Sequence, residues 1–355
     1  MDTCGWFGLR RLFLAWRNDQ MAVLPRPFHR LGSAIRSTSP SSVAYLRQAP
    51  RLPRMRTVFM GTPDIAVPAL QLLASRTTVT CVITQPDRPA GRGHQLTPPP
   101  VKIAALALGI PVWQPETLKG LDQDPRLKCD LAVVMAYGEM LRQAALDRPV
   151  HGCINLHASL LPRWRGASPL QAALRAGDER TGVTVMRMVR ALDAGAMFLA
   201  DDVAIDPRMT LPALHDALMG SAARALGRFL DGFPNLMAEE QDPSLVTTCH
   251  KLTSDHGRLD FSVGAQAIDR WVRAYTPAPG CWVLMGEAKL KILAVEPVDT
   301  ALPVGEVVND GSQVLIGCGA DAVVLRELQA PGKRPMATID YLRGNTLPER
   351  FAPSE

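Results

Sequence analysis

From residue 55 onward the chain alternates short apolar runs with amphipathic ones. TVFM (57–60) is a β-prone run closed by the turn residues GTPD, and IAVPALQLLAS then carries apolar positions at helical spacing with Pro68 near its first turn. TVTCVIT (78–84) predicts a second strand, and VKIAALALG (101–109) a second helix that ends at Gly109. DLAVVMAYG (130–138) and GCINLHASL (152–160) are almost continuously apolar, as strands covered on both faces must be. Strand, helix and strand at this spacing predict an α/β fold built on a right-handed, mostly parallel sheet.

The pattern changes near residue 240. AEEQDPSLVTTCHKLTSDHGRLDF is polar and irregular and reads as a linker, after which GAQAIDRWVRAY (264–275) is amphipathic. CWVLM, KLKILAVEPV, GEVV, QVLIGC and AVVLRELQA follow as short runs separated by Gly, Asp and Pro, which predicts a small β-barrel. The expected division is an N-terminal extension at 1–54, an α/β domain at 55–238, a linker at 239–260 and the barrel domain at 261–355.

Charge alters this picture in one respect. The net +5 is concentrated in residues 1–54, where nine arginines face two aspartates; the rest holds 30 of the 39 basic and 32 of the 34 acidic residues, a net −2. Bulk charge therefore gives the body no general attraction to nucleic acid, and any such surface must be a local patch. The extension, with its short WFGLRRLFLAW stretch, has the composition of a mitochondrial transit peptide or of an upstream extension of the reading frame. It is expected to be disordered and to lie outside the fold, with the protein in the cytoplasm. No run reaches the roughly 18 consecutive apolar residues of a membrane span. The seven cysteines are scattered without a C-x-x-C pair and the histidines include no H-E-x-x-H, so neither a disulfide framework nor a metal centre is expected.

QPDRPAGRGHQLTPPP (85–100) is a sixteen-residue stretch of Pro, Gly and charge between a strand and a helix. A loop this long in a compact α/β domain points to use. The residues with chemistry lie further on. Asn155 and His157 stand at i and i+2, so they share one face near the carboxyl end of their strand, where open α/β sheets place a ligand crevice. An amide and an imidazole can donate to an oxyanion developing on a carbonyl. Asp193 follows the next strand, TGVTVMRM (181–188), in the turn ALDAG, whose small residues let the backbone present the carboxylate inward. There is no G-x-G-x-x-G after the first strand, no G-x-x-x-x-G-K-[ST] and no G-x-S-x-G, which disfavours dinucleotide, P-loop and serine-hydrolase chemistry. Arg163 and Arg165 stand where the strand opens to solvent, facing an anionic substrate in this reading.

HGCINLHASLLPRWRGASPLQAAL followed by GDERTGVTVM and LDAG resembles the signature of the folate-dependent formyltransferase family. FMGTPDIAVPAL, TQPDRPAGRGHQLTPPPVK, VVMAYGEML and LQAPGKRPM resemble its bacterial, tRNA-directed branch, and the resemblance spans about residues 55–353. It implies a Rossmann-like catalytic domain with an OB-like barrel, acting as a monomeric enzyme without a metal. The implied reaction moves a formyl group from 10-formyltetrahydrofolate to the α-amino group of methionine on initiator tRNA. It places the catalytic trio on Asn155, His157 and Asp193. The folate would lie against Ser159, Leu160, Leu161 and Pro162 and near Ala136, Tyr137 and Gly138. The tRNA would meet Arg92 in the long loop and Lys251, Arg270, Lys333 and Arg334 of the second domain, within a basic group that also includes Arg258, Arg273, Lys289 and Lys291.

Val189, Arg190, Ala191 and Ala196 around the LDAG turn, and Ala278 at the barrel entry, depart from the family pattern, while the trio is intact. Two alternatives stay open at this stage. One is a formyltransferase acting on an amino sugar or glycinamide ribonucleotide, which would need neither the barrel nor the long loop. The other is a non-catalytic tRNA-binding protein, which would be free to lose the trio.

Overall fold

The computed structural model describes residues 55–90 and 95–351. The expectations for the extension at 1–54 and for Arg92 lie outside these residues.

The α/β domain is organised by one seven-stranded sheet. Its strands are β1 (Arg56–Gly61), β2 (Thr78–Ile83), β5 (Val112–Trp113), β6 (Leu131–Met135), β7 (Cys153–His157), β9 (Arg180–Arg187) and β10 (Met197–Ala204), in the spatial order β10-β9-β7-β6-β1-β2-β5. Pairing is parallel from β5 through β7, and β9 and β10 close one edge antiparallel. Buried residues explain why these segments are strands. In β1, Phe59 enters the core shared with the helices α1 (Val67–Arg76), α2 (Pro100–Ala107) and α5 (Leu211–Gly232), while Val58 and Met60 enter a second cluster on the opposite face with Leu127, Leu141 and Cys153. A strand buried on both sides has no solvent face to mark with polar residues. Burial also pushes the Cys153 thiol up to about 12, so it sits in this core as a neutral apolar group.

Chain order makes the site's location a consequence of topology. From β1 the chain builds outward through β2 to β5, then returns across β1 to lay down β6 and β7 on its other side. The carboxyl ends of β1 and β6 therefore diverge at a switch point, the place where open sheets leave a crevice. Thr62 Oγ1, just past β1, donates to Tyr137 O just past β6 at 2.9 Å and ties the two loops at that point. The long segment after β2 is a hairpin rather than an unstructured loop. β3 (Arg88–Ala90) pairs antiparallel with β4 (Gln95–Thr97), and its base is held by Lys102 Nζ on the Asp87 carboxylate at 2.8 Å.

The second unit is antiparallel. β12 (Cys281–Met285), β13 (Ala288–Val298), β16 (Ala322–Gln329), β15 (Val314–Gly317) and β14 (Val307–Asn309) pair in that order, with β17 (Met336–Ala337) added to β16. Every strand here except the two-residue β17 had a counterpart in the apolar runs. The sheet wraps α6 (Ala265–Tyr275), whose Ile268 and Val272 are buried, and α6 also packs on α4 (Pro169–Ala176) of the first unit. Along that seam the Arg175 guanidinium lies 4.1 Å over the Trp271 ring and donates to the Tyr275 hydroxyl at 3.1 Å. Asp269, fully buried, takes Arg273 Nε at 2.8 Å and Arg208 at 3.4 Å. Because Arg175 is itself exposed, Arg175→Ala is expected to cost only about 1 kcal/mol, read as a small fall in Tm. A melt unchanged from the parent would remove this contact from the energetics of the seam.

Candidate active site

Period-2 geometry puts Asn155 and His157 on one face of β7, and the turn between β9 and β10 brings Asp193 to them. The Asp193 carboxylate is the point of convergence. Its Oδ2 accepts from the backbone N–H of Gly166 at 2.9 Å and lies 3.6 Å from His157 Nδ1, while its Oδ1 is 3.5 Å from Asn155 Nδ2. The Gly166 bond fixes the carboxylate. The two longer contacts can be exchanged for a ligand at little cost, as is common in unliganded sites. His157 is buried, and its Nε2 lies 2.9 Å from the Trp164 carbonyl oxygen. Both ring nitrogens thus face acceptors, an arrangement that the imidazolium satisfies at both positions and either neutral tautomer at one.

The backbone that builds this arrangement is unusual at several residues. Asp193 has φ 48° and Trp164 φ 60°, both left-handed. Aspartate tolerates that region better than most residues, yet each such position costs about 1–2 kcal/mol and must be held by its surroundings. Gln241 does part of the holding: its Nε2 donates to the carbonyls of Asp193 and Gly195, each at 2.8 Å, and its Oε1 accepts from Arg165 Nε at 2.9 Å. Two glycines are required by close approach. Gly166 has φ 120° and a Cβ there would overlap the Cys249 carbonyl oxygen; at Gly195 a Cβ would overlap the carbonyl oxygen of Arg187.

The polar segment at 239–260 is therefore part of the site's wall as well as a connection. Thr248–Cys249 forms a strand, β11, parallel to β8 (Arg165–Gly166), and Thr247 Oγ1 accepts from Trp164 N at 2.9 Å. Gln241, Thr247 and Gly166 were not singled out by sequence. The one signal was a polar, irregular composition, which a linker and a backbone-pairing strap share.

The two arginines that first read as facing an anionic substrate have partners inside the chain. Arg163 makes a bidentate pair with Asp178 at 2.9 and 2.7 Å, and Arg165 orients Gln241. Asp178 holds the Arg163 guanidinium above its ordinary pKa and also accepts from Trp164 Nε1 at 2.7 Å. These contacts frame the turn rather than leave it cationic.

Of the residues expected near folate, Ser159 is fully buried and donates to Arg163 O at 2.6 Å, and Leu161 N donates to Thr184 Oγ1 at 3.1 Å. Leu160 O accepts from Arg163 N at 3.1 Å and Pro162 O from Thr247 N at 3.3 Å, so these polar groups already have partners in the protein. Ala136 at φ 48° and Gly138 at φ 90° flank Tyr137, whose phenol burial pushes up to about 12. Tyr137 and Met140 line a cavity of about 320 Å³ with Gln85, Arg88, Lys119 and Arg142. None of the trio lines this cavity.

The basic residues do not form one set. Lys333 and Arg334 are exposed between β16 and β17, and Lys251 is exposed just past β11. Arg270 is half-buried in the seam, its side chain packed against the Gly177 position at the end of α4. Arg92 falls outside the described residues.

Comparison with known proteins gives a consistent result at two levels. The formyl transferase model matches residues 55–230, and the model of the formyl transferase C-terminal domain matches residues 251–346. The methionyl-tRNA formyltransferase of Thiobacillus denitrificans is 44% identical over 301 residues, 82% of this chain and 97% of that protein. That of Granulibacter bethesdensis is 45% identical over 302 residues, 83% and 96% of the two chains. Among solved structures, the sugar 3N-formyl transferase WlaRD aligns with TM-score 0.59 at 14% identity, over 79% of this chain and 99% of that one. HypX from Aquifex aeolicus in complex with tetrahydrofolic acid aligns with TM-score 0.56 at 14% identity, over 81% and 47%. These two share the fold, whereas the closer relatives share sequence through both domains. The chain belongs to the formyl transferase family, in the group of the methionyl-tRNA formyltransferases.

Proposed function

We propose that this chain is the enzyme that transfers the formyl group of 10-formyltetrahydrofolate to the α-amino group of methionine on initiator tRNA, giving the N-formylmethionyl-tRNA used in translation initiation. The observation that carries the reading is relatedness along nearly the full length of methionyl-tRNA formyltransferases, the C-terminal domain included. In this reading the enzyme works as a monomer in the cytoplasm. No described helix is long and apolar enough to cross a membrane.

The reaction forms one C–N bond, breaks another and moves one proton. The neutral amine attacks the formyl carbon, the carbonyl oxygen takes the charge of a tetrahedral intermediate, and the bond to the folate nitrogen then breaks as that nitrogen is protonated. Asn155 Nδ2 carries two hydrogens; one is directed toward Asp193 and the other is left for the formyl oxygen. His157, held by the Trp164 carbonyl, supplies the second donor or the positive charge beside that oxygen. Asp193 keeps His157 oriented and is the acceptor that faces both donors, so it is suited to take part in moving the proton from amine to leaving nitrogen. The folate would lie along residues 159–162 and 136–138 chiefly through shape and backbone, because the Ser159 hydroxyl and Leu161 N–H are already satisfied.

The second domain and the stretch 85–100, whose sequence includes Arg92, would hold the tRNA. Lys251, Lys333 and Arg334 offer exposed charge for phosphate, while Arg270, packed in the seam, would act there through the docking of the two domains. The full chain, given 10-formyltetrahydrofolate and charged initiator tRNA, is expected to yield formylmethionyl-tRNA. Transfer only to a nucleotide-linked amino sugar or to glycinamide ribonucleotide would replace this reading, and tRNA binding without turnover would make the protein non-catalytic. Lys333→Ala and Arg334→Ala should each weaken tRNA binding and lower the slope of log K against log salt by about 1, leaving KM for the formyl donor unchanged.

A further inference from the structure

Gln241 lies between the two family-matched regions, which end at residue 230 and resume at 251, yet it reaches the centre of the site. It is 7% exposed, and both ends of its amide are used. The nitrogen binds two carbonyls of the turn that presents Asp193, and the oxygen is held by Arg165, the neighbour of the glycine whose N–H binds the Asp193 carboxylate. One side chain therefore fastens the two backbone segments whose separation sets where that carboxylate stands. Asp193 itself is left-handed, so its turn needs such fastening.

We propose that Gln241 is a positioning residue for formyl transfer, setting the distance of the Asp193 carboxylate from His157 and Asn155 from within the segment that joins the two domains. The proposal rests on the role given to Asp193 above. A glutamine suits the task because only its amide end can donate twice and accept once; a carboxylate would face two carbonyl oxygens, and an apolar side chain would leave both buried carbonyls without this donor. The segment around it is anchored independently, through Thr247 and the β8–β11 pairing, so losing the amide should shift the turn without releasing the strap.

Gln241→Met keeps the length and volume of the side chain and removes the donors. In the full chain it is expected to lower kcat by about 10- to 100-fold, the scale of a misplacement near 1 Å, with KM for methionyl-tRNA and for the formyl donor each within about threefold of the parent. A parent-like kcat, or a loss carried by KM, overturns the proposal. Arg165→Leu frees the Gln241 oxygen without touching its donors, and should give a smaller fall of the same kind. It serves as the deciding variant if thermal melting shows that Gln241→Met does not fold, and a parent-like kcat there overturns the proposal equally. Asp193→Asn is measured alongside. An inactive Asp193→Asn beside an unaffected Gln241→Met removes only the positioning role; an active Asp193→Asn removes the role of Asp193 and this proposal with it.

Discussion

Asn155→Ala is expected to lower kcat for formyl transfer by about 10²- to 10³-fold, the usual effect of losing one donor to an oxyanion, while tRNA binding stays near that of the parent. The asymmetry follows from where Asn155 stands. Its side chain meets Asp193 at the carboxyl end of β7, whereas the exposed cations suited to phosphate lie on the second domain. His157→Ala should give a loss at least as large, because it removes the ring that bridges Asp193 and the Trp164 carbonyl. Separate measurement of kcat and of tRNA affinity by filter binding decides the matter. Equal losses in both would mean that these residues shape the tRNA surface, and turnover close to the parent would end their assignment as donors.

Gly166→Ala is the second large effect, expected to cost about 2–4 kcal/mol of stability and to abolish most activity even where the protein still folds. The added Cβ has nowhere to go. It would overlap the Cys249 carbonyl oxygen, which also accepts from Ala167 N at 3.1 Å, and a φ of 120° is strained for any residue with a side chain. Relief requires β11 to move off β8, and with β8 moves the N–H that binds Asp193. Chemical denaturation and a kcat measurement on the surviving fold would test both parts. A stability within about 0.5 kcal/mol of the parent would mean that the strap is loosely held.

Legibility in the sequence followed burial. β6 and β7 were readable because two-sided burial leaves continuous apolar runs, and the five later strands because turn residues separate them. Asn155 and His157 were visible as polar residues that such a strand does not need, and Asp193 as a carboxylate between small residues. The 22-residue helix α5 passed unmarked, although Leu211, Leu214, Leu218, Ala222, Ala225 and Phe229 recur on one buried face and Thr210 caps its start. The hairpin β3–β4 read as loop because Pro89 and the glycines before His94 mask a three-residue ladder. Gln241 and β11 were illegible for a deeper reason. Their contribution is made through backbone pairing and one amide between residues 46 to 85 positions apart, which no local period records.

The strap has a consequence for how such enzymes can be recombined. A chimaera cut at residue 238, where composition changes, would exchange Gln241, Thr247 and Cys249 along with the second domain and so replace part of the wall around Asp193. Cut after Cys249, the same exchange carries over the second domain and leaves the turn of Asp193 with its own supports. The structural border between the two halves lies about ten residues beyond the compositional one, and a lineage that shuffles second domains onto this scaffold is constrained to respect it.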